Sequence, residues 1–378
     1  MRPLIFGLIA LALFAPAHAE VPPLARQTAD GFAVPQPGRV FSYPRDHGSH
    51  PEFRIEWWYI TGHLFDAEER RFGFQATFFR RANDRDKAGR GTPAFGDREV
   101  YLAHMSLLDA RTGRFLHKER LNRDGWDASA ATETLALTNG NWSLHLAAPD
   151  TETMRLVGSI HADALFQLTL APEKPLVVFG ENSVSRKGAD PTAASHYLTF
   201  TRLQTVGTLR LDGRTFEVSG RAWMDHEISS SQLDEGQTGW DWCSIQLEDG
   251  WDLMAYRLRR ADGSSDPFST VAWVSPDGRV THHPETSFSW IPIETWRSPA
   301  TGGEYPVRYR LTVPARDGGT GREELEIRPL ARDQELTGAL GGIAYWEGAG
   351  DVLDAAGRPI GRCYTELTGY ADTLEGKF

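Results

Sequence analysis

Asp225, His226, Glu227 and Asp241 lie within one stretch, Gly220–Arg260, together with Trp223, Trp240, Trp242 and Trp251. Carboxyl groups set against indole faces can do acid–base work. Removing a carboxylate from water disfavours its charged form, and a second carboxylate nearby disfavours it further. One member of such a pair can then hold its proton near neutral pH and act as a general acid. If Arg221–Ser229 is a strand, alternation puts Trp223, Asp225 and Glu227 on one face, with Met224 and His226 on the other. The competing reading is a junction between domains, where these acids cap turns or pair with Arg. One observation separates the two: either Asp225 and Asp241 line a common apolar cavity with the Trp residues, or they are bound to Arg.

The same juxtaposition of acid and aromatic recurs at Glu56-Trp57-Trp58-Tyr59, at Tyr345-Trp346-Glu347 and at Glu366–Tyr370, the run ELTGY. In the first of these, Glu56 and Trp58 share one face while Trp57 and Tyr59 share the other, so the strand is apolar on both sides. A Glu buried there is costly unless paired, and Arg54, Arg80 and Arg257 are the candidate partners. Other chemistries are struck off. The chain has no G-x-S-x-G elbow, and His226-Glu227 lacks the second His of H-E-x-x-H. His282 and His283 are adjacent and point opposite ways on a strand. There is no Gly-rich phosphate loop, dinucleotide fingerprint or C-x-x-C pair, so no metal or cofactor is expected.

The elements that must position these groups read as strands. Phe53–Phe65 and Arg71–Arg80 are aromatic and β-branched, joined by a short polar loop, as a hairpin requires. Arg81–Arg98 is charged and patternless and reads as a long loop. Asn139-Gly140 marks a tight hairpin turn between Thr134–Thr138 and Asn141–Leu146. Strands continue to Trp223, and no long amphipathic helix is evident. From Gly239 the opening pattern repeats. Setting Trp57 on Trp240 puts Tyr59 on Trp242, and, across a shorter turn, Ala76 on Ala255 and Arg80-Arg81 on Arg259-Arg260. Many short strands with regular turns, partly duplicated, predict an all-β protein of two barrel-like domains.

The bulk properties bound the function. The chain has 378 residues and a formal charge of −11, with no basic cluster to attract nucleic acid or an anionic membrane surface. It opens with Arg2, an apolar run from Leu4 to Phe14 and Ala17-His18-Ala19, which reads as a cleavable secretory signal peptide over residues 1–19. The mature protein is then expected in the periplasm or outside the cell, and not spanning a membrane. The expected domains are 20–229 and 230–378, on a prior of ~100–200 residues each. Cys243 and Cys363, the two cysteines present, are either a disulfide or two buried thiols.

Taken together, EWWYITGHL, AHMSLLDARTGRF, GRAWMDHEISS, GWDWCSIQLEDGWDLMAYRLR, YWEGAG and ELTGY resemble the carotenoid 1,2-hydratase and AttH-like family. The resemblance covers nearly the whole mature chain. It implies a tandem pair of lipocalin-like β-barrel domains and an apolar ligand in a cleft between or inside them. It further implies cofactor-free addition of water to an isolated double bond of a lipophilic, isoprenoid-like substrate. On that basis Asp225 is the leading acid and Asp241 the second, His226 and Glu227 orient it or handle water, and Trp57, Tyr59, Trp240, Trp242 and Tyr256 form aromatic walls. Ile228 and Cys243 stand where bulkier aromatics are expected, a departure that would reshape the pocket. The alternative implied by the same resemblance is a binding protein for a hydrophobic molecule, associated with ABC transporter components.

Overall fold

The computed structural model describes residues 21–83, 99–125 and 127–375. The leader expected at 1–19 and most of the loop expected at Arg81–Arg98 fall outside them. Two antiparallel sheets account for the strands. The first takes β1 (Ile55–Phe65), β2 (Arg71–Ala82), β3 (Glu99–Asp109), β4 (Arg114–Arg123), β5 (Ala128–Ala130), β6 (Ala136–Asn139) and β7 (Trp142–Leu146). It continues with β8 (Met154–His161), β9 (Ala164–Pro172), β10 (Val177–Phe179), β11 (Ser185–Arg186), β12 (Ala194–Leu211) and β13 (Arg214–Ser231). The second takes β14 (Gln237–Leu247), β15 (Asp252–Arg260), β16 (Thr270–Val274), β17 (Val280–Pro284), β18 (Ser289–Arg297) and β19 (Glu304–Pro314). It closes with β20 (Arg322–Pro329), β21 (Glu335–Leu336), β22 (Tyr345–Leu353) and β23 (Pro359–Thr368). Helical structure among the described residues is confined to short 3-10 turns such as Arg45–His47. None of their helices is long and apolar enough to cross a membrane.

The first sheet runs β4-β3-β2-β1-β13-β12-β9-β8-β7-β6-β5 and curls until β3 and β4 come against β6 and β8. Its interior is a continuous core that includes Trp58, Ile60, Phe74, Leu107, Leu156 and Phe166. The second runs β17-β16-β15-β14-β23-β22-β20-β19-β18 around Ile245, Trp273, Leu311 and Val352. The predicted repeat has a structural counterpart. In each sheet a hairpin (β1–β2, β14–β15) lies beside the last strand of its own sheet, β13 or β23.

The seam between the sheets explains why β1 is apolar on both sides. Trp58, Ile60 and Leu64 enter the first core, whereas Tyr59 joins Tyr197, Trp223, Trp242, Met254 and Tyr256 in a separate cluster between the sheets. Polar pins hold the seam as well. Asp252 on β15 is buried and receives Lys174 Nζ at 2.6 Å and Arg202 Nε at 2.7 Å from the first sheet's side. Cys243 and Cys363 are buried free thiols on neighbouring strands.

Candidate active site

Cross-strand register builds the site from both walls of the seam. On the first sheet, β1 sits between β2 and β13, with Tyr59 opposite Asp225 and Trp57 opposite Glu227. On the second, Trp242 lies opposite Glu366 and next to Tyr256. The two walls enclose a cavity of about 320 Å³ lined by Trp57, Tyr59, Asp225, Glu227, Trp240, Trp242, Tyr256 and Glu366, among others. The duplication thus places a carboxyl group beside an aromatic at matching positions: Asp225 beside Tyr59, and Glu366 beside Trp242.

Asp225 is fully enclosed and saturated with donors. Thr199 Oγ1 and Trp223 Nε1 each donate to Oδ1 at 2.7 Å, and Tyr197 Oη donates to Oδ2 at 2.8 Å. Tyr197 in turn accepts Trp242 Nε1 at 2.9 Å. Such bonds hold a carboxylate in its charged form. Burial outweighs them here, and with the neighbouring Glu227 it lifts the Asp225 pKa to about 7.

Glu366 has one hydrogen bond among the described residues, from Trp240 Nε1 to Oε2 at 3.1 Å, so Oε1 is open to a ligand. Burial, reinforced by Glu227 and Asp225 across the cavity, raises its pKa to about 8. Behind it, directly opposite on β22, Glu347 accepts Tyr59 Oη at 2.7 Å. Burial, with Glu366 adding to it, pushes Glu347 well above the usual carboxylate range. Glu227 differs in having a cation: Lys187 Nζ lies 3.0 Å from Oε2 and Ser195 Oγ donates to the same oxygen at 2.5 Å. Burial works against the Lys187 charge, but Glu227 more than offsets it, and the ammonium also lies over the Tyr197 and Tyr256 rings. The site therefore opposes two carboxyl groups of raised pKa, Asp225 at about 7 and Glu366 at about 8, next to one ion-paired carboxylate.

Two expected participants stand elsewhere. Asp241 points to the other face of β14, where Arg259 and Tyr370 bind Oδ1 and Arg257 lies 3.6 Å from Oδ2. Asp241 is thus paired with Arg within the second sheet, whereas Asp225 lines the cavity. His226 also points away, because adjacent residues of a strand face opposite sides. It stacks on Trp58 at 4.6 Å and its Nε2 bonds Glu56 Oε1 at 2.8 Å. Ile228 and Cys243 pack into apolar clusters outside the cavity, so the departure at these positions does not reshape it.

Glu56 resolves the puzzle of an acid inside an aromatic strand: Arg80 is its partner, at 3.2 Å, and His50 contacts it through Nδ1 at 2.7 Å. His50, Glu56 and His226 are the group among the described residues whose donor atoms could converge on a metal. The Arg80 guanidinium, Ser49 Oγ and the His50 backbone N–H occupy Oε2, while His50 Nδ1 and His226 Nε2 both contact Oε1. A cation would meet a fixed positive charge, so the arrangement fits a hydrogen-bonded charge network instead.

Residues absent from the sequence reading of the site include Glu366, Lys187 and Tyr197. Glu366 was within reach, since it heads the ELTGY run and the duplication that maps Tyr59 onto Trp242 calls for an acid beside Trp242. Lys187 and Tyr197 left no comparable signal.

The AttH-like family profile matches residues 34–370. An AttH protein from Nitrosomonas europaea is 36% identical over 90% of this chain and 100% of that one, with a TM-score of 0.79. Kievitone hydratase from Nectria haematococca covers 92% of this chain and 97% of its own at 15% identity and a TM-score of 0.66. That likeness is one of fold, a tandem of two lipocalin-like β domains. A ceramide-binding protein, svf1, from Schizosaccharomyces pombe is 20% identical over 203 residues, 52% of this chain. The match spans about half the length of that relative, 53%.

Proposed function

We propose, for a chain that belongs to the AttH-like family, that it is a hydratase-like enzyme adding water to an isolated double bond of a lipophilic, isoprenoid-like substrate held between its two sheets. The observation that carries this reading is the pair Glu366 and Asp225, two high-pKa carboxyl groups on opposite walls of an aromatic cavity. Glu366 is the better-placed acid, because both Asp225 oxygens are already occupied by donors while Glu366 Oε1 is open.

In this mechanism the alkene π pair takes the Glu366 proton at its less substituted carbon. The tertiary carbocation left on the other carbon faces Trp57, Trp240 and Trp242, whose ring faces stabilise a desolvated cation by ~2 kcal/mol or more. A water oxygen bonds to that carbon, and the proton it sheds passes to Asp225 in its ionised form, which a pKa of about 7 keeps populated near neutral pH. Proton exchange with solvent restores the starting state, so the net reaction consumes one water. Lys187 keeps Glu227 occupied, leaving Asp225 and Glu366 as the exchanging pair.

The second reading, a binding protein for a hydrophobic ligand, is favoured by the match to the ceramide-binding relative. Binding and turnover measured separately on Asp225→Asn and Glu366→Gln tell them apart. The probes are prenyl alcohols and hydrocarbons in ¹⁸O-labelled water, with labelled tertiary alcohol as the readout. The enzyme reading expects label with the wild type and at least a hundredfold less with either variant, binding being kept. Binding by the wild type with no label from any prenyl probe would favour the carrier.

A further inference from the structure

The cavity has a second polar end, three strands away from Asp225. His104 on β3 and Glu119 on β4 are directly opposed cross-strand neighbours, and both are buried. His104 lines the cavity with Leu102, Leu121, Leu340 and Gly341. Its Nδ1 lies 2.5 Å from Tyr345 Oη, while its Nε2 has no partner among the described residues. Glu119 Oε2 accepts the backbone N–H groups of Leu340 at 2.7 Å and Gly341 at 3.2 Å, while its Oε1 has no partner there either. Leaving a buried polar atom unsatisfied is costly, so two on facing residues mark a place for a missing group.

The chemistry of that group follows from the two atoms. Burial keeps the His104 imidazole neutral, its pKa lowered to about 4. In the tautomer whose Nδ1 accepts from Tyr345, Nε2 carries the hydrogen and is a donor toward the side of Glu119. Glu119 Oε1 is an acceptor. A hydroxyl satisfies both at once, accepting from Nε2–H and donating to Oε1. A hydrocarbon satisfies neither, and a carbonyl satisfies only the first.

The position of the pair sets the length of the molecule. One row of facing residues runs His104, Thr77, Tyr59, Asp225 across β3, β2, β1 and β13. Three strand spacings amount to roughly 14 Å. Phe79, Leu102 and Ile343 line the cavity with this row.

We propose that His104 and Glu119 form a hydroxyl-binding subsite, and that the ligand is therefore a long-chain alcohol whose far end reaches the Asp225–Glu366 pair. This rests on the cavity being the ligand site, as argued above. The test compares farnesol with farnesene, the same skeleton without the hydroxyl, by tryptophan-fluorescence titration of the full chain. The wild type should bind farnesol at least tenfold more tightly. His104→Phe, which keeps the ring and removes both nitrogens, should abolish that preference by weakening farnesol binding at least tenfold relative to farnesene. Glu119→Gln serves as a second variant should His104→Phe fold poorly, and should narrow the same preference. Equal affinities in the wild type would mean that water alone fills the pair and would overturn the subsite while sparing the cavity. A preference that survives both variants would also overturn it. Failure of the wild type to bind either compound would remove the cavity reading and the subsite with it.

Discussion

Asp225 and Asp241 show how little the neighbouring residue types decide about an acid. Each sits among tryptophans, yet Asp225 meets three neutral donors and Asp241 meets two guanidinium groups. Breaking a buried ion pair leaves an uncompensated charge and costs about 3–5 kcal/mol. Asp241→Asn should therefore lower stability by that order in denaturant titration, while the folded fraction keeps its turnover within a few-fold. Asp225→Asn should do the reverse. The pH dependence of stability gives a second expectation. Glu366 and Asp225 hold protons in the folded state that the unfolded chain, with carboxyl pKa values near about 4, has released. Their contribution is full below that value and is lost as pH rises through about 7 for Asp225 and about 8 for Glu366. Thermal melts should show stability declining from pH 5 to pH 9, and Glu366→Gln should flatten the upper part of the decline.

At the level of strands, alternation carried most of what could be read in advance. It sorted Trp57 and Tyr59 from Trp58, and Asp225 and Glu227 from His226, before any partner was known. It could not say which face met the other sheet, and the role beside Asp225 that the family resemblance implies for His226 belongs to the opposite face, where His226 meets Glu56 and Trp58. Lys187 and Tyr197 were invisible for a related reason: they reach the site from β12 and its preceding loop, through pairings distant in sequence. Glu366 was legible only by carrying the repeat one strand further, from β14 to β23. The approach of strands from the two sheets offers a test at this scale. A methyl group added at Gly73 on β2 would lie 2.5 Å from the Ala349 Cβ on β22. Overpacking of this kind costs about 1–3 kcal/mol. Gly73→Ala should lower the melting temperature accordingly, and the double variant with Ala349→Gly should recover most of the loss.

Across the whole molecule, the two sheets place the candidate site where neither could build it alone. The first supplies Asp225, Glu227 and Trp57, the second Glu366, Trp240 and Trp242, and the Lys174–Asp252–Arg202 cluster fixes their separation. Two all-β domains were readable from strand spacing and the repeat, but the cavity was not, since it exists only once two outer faces meet. The account turns on Glu366 remaining a neutral carboxylic acid at that meeting point. Infrared difference spectroscopy of the wild type against Glu366→Gln measures this directly, through the carbonyl stretch of a protonated carboxyl group. The account predicts such a band in the difference spectrum at pH 7, fading as pH rises through about 8. A difference spectrum at pH 6 to 7 that shows only an ionised carboxylate for Glu366 would contradict it.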